Sequence, residues 1–168
     1  MKVEWVPLGD VLELQRRDVD LQPERSYQEI GVRSFGKGLF VKPPVYGADL
    51  GDKRVFEIRA GDFVVSNVFA WEGAVGIATR DHDGLIGSHR FMTWTPRRTV
   101  NVEYLRHYFG SEAGVASLAK ASPGSAGRNR TLSIRNFERV VVPLPECDVQ
   151  DRVASHLSKL SQIGRQIP

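Results

Sequence analysis

The apolar positions of this chain change spacing about two thirds of the way along. Before residue 100 they fall in short runs cut by turns. Glu29 to Val32 is a strand candidate ahead of a glycine-rich bend, Gly36-Lys37-Gly38. Val55-Phe56-Glu57-Ile58 alternates as a strand does, Gly61-Asp62 turns the chain, and Phe63 to Val68 is rich in β-branched residues. Together these two strands predict a hairpin or a tight corner. Ala74 to Ala78 and Arg90 to Thr95 are further strands, and residues 49–54 form a charged turn. Near the start, Leu8, Val11, Leu12 and Leu14 predict a short amphipathic helix over residues 8–15.

After residue 100 the spacing becomes three and four. Val102, Leu105 and Phe109, with Tyr104 and Tyr108, predict a helix from Asn101 to Phe109. Ser111 is placed to cap a second helix, with Glu112 favourable in its first turn and an end near Lys120. Ser133 to Phe137 reads as one helical turn, and Arg139 to Leu144 as a buried strand stopped by Pro143 and Pro145. Asp148 is a candidate N-cap for a last helix. There Val149, Val153, Leu157 and Leu160 form a narrow apolar stripe on an otherwise polar surface. A stripe so narrow fits a helix–helix seam better than a globular core, the other reading being a terminal helix packed on its own domain. The division that follows is a globular unit over residues 1–146 and the start of a spacer or dimerisation helix over 147–168.

The 168 residues suffice for one domain with a real core. The net charge of +3 permits a polyanionic partner without demanding one. A single cysteine, Cys147, rules out an internal disulfide and fits a reducing compartment. No apolar run approaches the roughly 20 residues of a membrane span, and the N-terminus lacks the order of a signal peptide. The expectation is a cytoplasmic protein with no membrane contact.

The motifs of catalysis fail one by one. Gly31 to Lys37 matches most of a P-loop, but Gly38 stands where the magnesium-binding hydroxyl belongs, and Lys42-Pro43-Pro44 downstream excludes the helix a P-loop needs. The same residues lack the strand–turn–helix setting of a methyltransferase glycine turn. Lys42-Pro43-Pro44-Val45 puts lysine where an adenine methyltransferase needs an amide or carboxylate. Four histidines without paired spacing and one cysteine leave no metal cluster. Acidic pairs such as Glu57 with Asp62 lack the lysine of a metal nuclease, and Ser88-His89 neighbours on a strand point to opposite faces.

What remains is a set of basic and polar loops. Ser122-Pro123-Gly124-Ser125-Ala126-Gly127-Arg128-Asn129-Arg130 combines turn-forming residues with two guanidinium forks and an amide able to read a base edge. Gly87-Ser88-His89-Arg90 is a second donor-rich loop. Asn67 and Trp71 sit at a strand end, Trp71 fitting either core packing or nucleic-acid contact. Arg33, Lys37, Lys53 and Arg54 lie in or beside turns. The candidate nucleic-acid-contacting residues are therefore Arg33, Lys37, Lys53, Arg54, Asn67, Trp71, Ser88, His89, Arg90, Ser125, Arg128, Asn129 and Arg130.

Five segments carry a resemblance. They are Ile30 to Gly38, Val68 to Ala74, Gly87-Ser88-His89, Ala121 to Arg130, and the exit Val142-Pro143-Leu144-Pro145. Together the chain resembles, over nearly its whole length, a target-recognition domain of a type I restriction-modification DNA specificity subunit. That family usually begins the following helix with Glu-Gln; here Val149-Gln150 stands instead. The resemblance implies an α+β fold: a mixed, strongly bent β-sheet with a few short helices, followed by the start of the family's conserved coiled-coil-type helix. It implies a non-catalytic reader of double-stranded DNA, cytoplasmic, acting in phage defence by directing partners to one half of a split site. Those partners are methyltransferase subunits using S-adenosylmethionine and a motor-nuclease restriction subunit using ATP and magnesium. This chain itself would hold no cofactor. It would be a fragment of a two-domain subunit or a half-size subunit associating with a copy of itself through the last helix. The 122–130 loop would then be a shared backbone clamp rather than a base reader. Two further readings stay open: the recognition part of a fused methyltransferase-nuclease, to which an initiating Met1 is unfavourable, and an RNA-binding protein using Gly124 to Gly127.

Overall fold

Pro143 and Pro145 have no N–H to give, so a strand that contains them can pair on one side only. The computed structural model describes residues 2–97, 100–125 and 129–165, and in it that strand closes the domain against its own N-terminus. β1 (Val3–Pro7) runs into a single turn, α1 (Leu8–Val11), and directly on into β2 (Leu12–Gln15). After a long irregular segment come β3 (Ser26–Tyr27), the hairpin strands β4 (Ile30–Arg33) and β5 (Gly38–Val41), then β6 (Val45–Tyr46) and the turn α2 (Gly47–Leu50). β7 (Val55–Glu57), β8 (Phe63–Ser66), β9 (Val75–Ile77), β10 (Ile86–Ser88) and β11 (Phe91–Pro96) follow. The chain then turns helical with α3 (Val102–Gly110), α4 (Glu112–Ala121) and α5 (Ile134–Glu138), and ends with β12 (Val141–Pro145) and α6 (Cys147–Gly164).

The architecture is α+β. Its largest sheet has four antiparallel strands in the order β2-β11-β8-β9; the other described strands pair two by two, β1 with β12, β3 with β6, β4 with β5, and β7 with β10. A parallel bridge between Glu29 and Ile86 links two of the small sheets. The helices cover one face of the four-stranded sheet. Phe63, Trp94, Leu105, Phe109, Leu118 and Phe137 are fully buried between them. Trp94 and Phe137 stack at 4.8 Å between ring centroids, a contact that adds to the stability given by burial alone. Two smaller cores sit behind the β4–β5 hairpin (Ile30, Ile58, Val64, Ala78) and around Tyr27, Val55 and Ile86.

Caps set the helices where their sequence placed them. The Asn101 carboxamide accepts the N–H groups of Glu103 and Tyr104, Ser111 caps α4 through the Gly114 N–H, and Ser133 caps α5 through the Asn136 N–H. Several expectations change. Residues 8–15 are not one helix: the turn ends at Val11 because Leu12 to Gln15 finds a partner in β11, and sheet hydrogen bonds replace the helical ones. The charged turn at 49–54 is preceded by α2, which takes in residues 49 and 50. β7 and β8 do not pair as a hairpin; β7 pairs with β10 and β8 with β11 and β9. The link between them is the tight corner. It is held by Asp62, which accepts from both Nη atoms of Arg17 (2.7 and 3.1 Å) and from the Arg59 N–H (2.8 Å) while only 1% exposed. β12 begins at Val141 and is half exposed rather than buried, since it caps an edge. α6 is capped at Glu146, ahead of Asp148.

The first half of α6 docks on α3. Gln150 and Ala154 are buried, the Gln150 Oε1 accepts the Asn101 N–H, and Asn101 Nδ2 donates to Asp151. His107 completes the contact. Its Nε2 lies 3.0 Å from Ser158 Oγ and 3.0 Å from Arg106 Nη2. Burial, then the neighbouring Arg106 charge, hold the imidazole below its usual 6.5, with Glu103 opposing. No helix of the described residues is long and apolar enough to cross a membrane.

Two outcomes follow. Phe137→Ala removes a fully buried ring and costs about 3–5 kcal/mol, read from urea unfolding. Because the folded state depresses the His107 pKa, the docked, neutral form is favoured above 6.5 and loses ground as pH falls below it. Amide exchange in α6 therefore speeds up on acidification through that range, and His107→Gln flattens the dependence.

Candidate nucleic-acid interface

Loops can be held rigid only if their backbone donors and acceptors are satisfied by other segments. In this molecule they satisfy one another. The tip of the β4–β5 hairpin rests on the 3-10 turn Ala70–Glu72: the Phe35 N–H donates to Glu72 O (2.9 Å), the Gly36 N–H to Gly73 O (3.1 Å), and Ser34 Oγ–H to the Glu72 carboxylate (2.7 Å). Residue 36 is left-handed (φ 64°), a conformation glycine adopts freely. One hairpin strand carries Gly31 because a side chain there would run into the Phe40 ring. Asn67 is the second joint. Its N–H donates to Arg90 O (2.9 Å) and its carbonyl accepts the Leu132 N–H (2.8 Å), so the 88–90 loop and the segment after residue 129 meet on one residue.

This network carries five of the residues named from sequence, Arg33, Lys37, Ser88, His89 and Arg90. Arg33, Lys37, His89 and Arg90 are exposed, and among the described residues none of the four forms an ion pair. Arg33 stacks over Phe40 at 4.7 Å and donates to Leu39 O. Ser88 is buried, its hydroxyl accepting the Arg90 N–H at 3.4 Å. Ser88, His89 and Arg90 share the wall of an open cavity of about 430 Å³ with Phe40, Phe69 and Lys42.

Other candidates are committed elsewhere. Lys53 lines that cavity, but its ammonium is 2.6 Å from the buried Glu29 carboxylate. Arg54 makes two bonds to Asp18 (2.9 and 3.3 Å) and holds that carboxyl below the usual carboxylate range. Asn67 contributes its backbone, and its Oδ1 is buried without a hydrogen-bond partner. Trp71 is half-buried, its indole N–H donating to Val68 O. Arg130 lies over the Trp71 ring at 5.5 Å and donates to Ser122 O (3.2 Å) and Ala119 O (2.9 Å). Those carbonyls belong to the last turn of α4, where a cation is electrostatically favoured. Asn136 Nδ2 takes the Ala121 carbonyl of the same end. Ser125 and Asn129 are exposed. Arg128, with Ala126 and Gly127 of the proposed G-x-x-G loop, lies outside the described residues.

Two aromatic residues are not among those the sequence points to. Phe35 is 71% exposed at the hairpin tip, and Phe69 is 46% exposed at the start of the turn on which that tip rests. A signal for Phe35 does exist, an aromatic inside a Ser-Phe-Gly-Lys-Gly turn, where the ring has no core to enter.

No protein-family model matches the chain, and no curated protein matches it in sequence. Solved structures do match. The chain overlays the HsdS subunit of Thermoanaerobacter tengcongensis with a TM-score of 0.79 at 22% identity over 98% of its length. A chain from a study of complex assembly and conformational transition in the type I restriction-modification system gives 0.77 at 21% over 98%. The type I restriction-modification S subunit of M. genitalium gives 0.64 at 13% over 96%. This is the fold of type I restriction-modification specificity subunits. The chain spans 43%, 43% and 40% of the length of those three chains.

Within this specificity-subunit fold, α6 shows where the apolar stripe lies. The face carrying Gln150, Ala154 and Ser158 packs on the domain, and the stripe runs a quarter-turn round the helix from it. Val149 and Val153 are half-buried, Leu157 is 38% and Leu160 63% exposed. The helix is therefore both docked and open, its polar and small residues making the contact that a packed terminal helix would make with apolar ones.

Arg130→Ala removes two hydrogen bonds from the α4 terminus and the stacking on Trp71. Charge-assisted bonds of this kind contribute roughly 1.5–3 kcal/mol each, less where partly exposed. We expect a stability decrease of about 2 kcal/mol in denaturant unfolding, faster amide exchange at residues 118–122, and a smaller decrease in Arg130→Lys, which keeps the charge without the fork.

Proposed function

We propose that this chain is a DNA target-recognition domain of a type I restriction-modification specificity subunit, a non-catalytic reader of duplex DNA. The observation that carries the reading is the overlay of 98% of the chain on HsdS at a TM-score of 0.79. The cluster of Arg33, Lys37, His89 and Arg90, exposed and outside any ion pair among the described residues at one set of interlocked loops, gives it a surface. Arginine and lysine contacts to phosphates supply affinity and register, and a few loop side chains discriminate bases in the groove. The 122–130 loop serves as a backbone clamp rather than a base reader: Arg130 and Asn136 tie its base to the end of α4, and Ser125, Arg128 and Asn129 remain candidate DNA contacts.

Methyl transfer and cleavage would belong to partner subunits, with S-adenosylmethionine, ATP and magnesium bound there. The open stripe of α6 (Val149, Val153, Leu157, Leu160) would meet a second spacer helix, from a longer chain of this protein or from a copy of it.

The test is binding of the purified chain to mixed-sequence duplex as a function of salt. Affinity falls steeply between roughly 50 and 200 mM salt, and the triple variant Lys37→Ala, His89→Ala, Arg90→Ala shallows the log–log slope by about 0.9 for each phosphate that is no longer neutralised. Absence of duplex binding at low salt overturns the reading, as does methyl transfer by the chain alone.

A further inference from the structure

We propose that Phe35 is an intercalating wedge, a ring held at the tip of the β4–β5 hairpin to enter between stacked base pairs. The inference deepens the reading of this chain as a duplex-DNA binder and rests on it. Phe35 is the one described non-glycine residue with positive φ, at 61°. That backbone is unfavourable for a bulky side chain, and glycine or asparagine would make the same turn more easily. The ring gains nothing from the fold in return, being 71% exposed.

The support beneath it is rigid. The N–H groups of Phe35 and Gly36 are both bonded to the Ala70–Gly73 turn, and the hydroxyl of Ser34 is bonded to Glu72. A ring carried on a backbone pinned in this way needs no loop rearrangement to insert, which favours a wedge. Its surroundings select the partner. Arg33 and Lys37, neither in an ion pair among the described residues, stand two residues to either side. A second ring, Phe69, is exposed on the adjoining turn. An apolar ring between unneutralised cations matches a polyanion whose interior is a stack of flat apolar faces, and it matches an apolar protein surface poorly.

The experiment uses the full chain, a mixed-sequence duplex of about 30 base pairs, the length of a protein–DNA site, the same duplex with a central abasic site, and a relaxed closed-circular plasmid. Phe35→Gly deletes the ring while suiting the left-handed backbone, so it is expected to fold; Phe35→Trp restores a ring. The wild type favours the abasic duplex about tenfold, since the step is already unstacked, and shifts plasmid topoisomers toward unwinding after topoisomerase closure. Phe35→Gly binds intact duplex about tenfold more weakly with an unchanged salt slope. It shows neither the abasic preference nor unwinding, and Phe35→Trp regains both. Duplex binding without unwinding in the wild type, or equal unwinding in Phe35→Gly, overturns the wedge while leaving the DNA-binding reading intact. A Phe35→Gly variant that fails only in binding methyltransferase subunits assigns the ring to a protein partner and overturns the wedge as well. A wild type that binds no duplex removes the parent reading first.

Discussion

Main-chain hydrogen bonding between loops is the constraint on which this structure turns. The hairpin tip, the turn after β8, the loop after β10 and the segment beyond residue 129 belong to distant parts of the sequence. None satisfies its backbone wholly within its own turn. Each uses a neighbour instead: Phe35 and Gly36 on Glu72 and Gly73, Asn67 between Arg90 and Leu132. Buried or half-buried peptide groups left unpaired would cost more than most side-chain contacts return, so these loops stand together or not at all. A consequence follows for the surface. Where backbone bonds hold the loop, side chains at its outer face are released from structural duty, and Lys37, His89 and Arg90 are residues of that kind.

The core is arranged to resist load at that surface. The helical layer, through Phe109 and Phe137, locks Trp94 on the central strand β11, and β11 leads back directly into the Ser88–Arg90 loop. The hairpin has a core of its own, with Ile30 and Ile58 fully buried under it. Charge is distributed by the same division of labour. Arg17, Lys53, Arg54, Arg59 and Arg106 are each matched to a carboxylate within 3 Å. The bond of Arg17 to buried Asp62 braces the corner before β8.

The elements that depend on local signals are legible in the sequence. Asn101, Ser111 and Ser133 announce three helix starts, and the Gly36-Lys37-Gly38 bend marks the end of a strand that is itself legible from residue 29 on. What is not legible depends on distant partners. Leu12 and Leu14 have helical spacing, yet β11 offers them a ladder. Val55 and Phe63 stand a turn apart but join different sheets. The same holds for the interface. An exposed arginine and an arginine capping a helix look alike in sequence; Arg130 reads as a DNA ligand on the strength of its loop, and only the position of the α4 carbonyls reveals its second employer. Lys53 and Arg54 are similar, since Glu29 and Asp18, which answer them, lie 24 and 36 residues away in the chain. Phe35 is hidden for the opposite reason: hydrophobic patterning assigns an apolar ring to the core, and this one stands outside it.

The net charge of +3 understates this surface because charge acts locally within a Debye length of about 8–10 Å. The pairing of Arg17, Lys53, Arg54 and Arg59 with carboxylates removes them from competition, while on the interlocked loops Arg33, Lys37 and Arg90 are exposed without such partners among the described residues. For a protein read as a DNA reader, that economy has a physical logic. Every phosphate-binding cation strengthens attachment to all sequences equally, so it raises affinity without raising the ratio between right and wrong sites. A set of loops with few cations and a rigid backbone shifts the balance toward contacts that depend on which bases are present or how easily a step opens. The fold's stability comes from elsewhere, so those contacts are free to be weak individually and still decide where the chain rests.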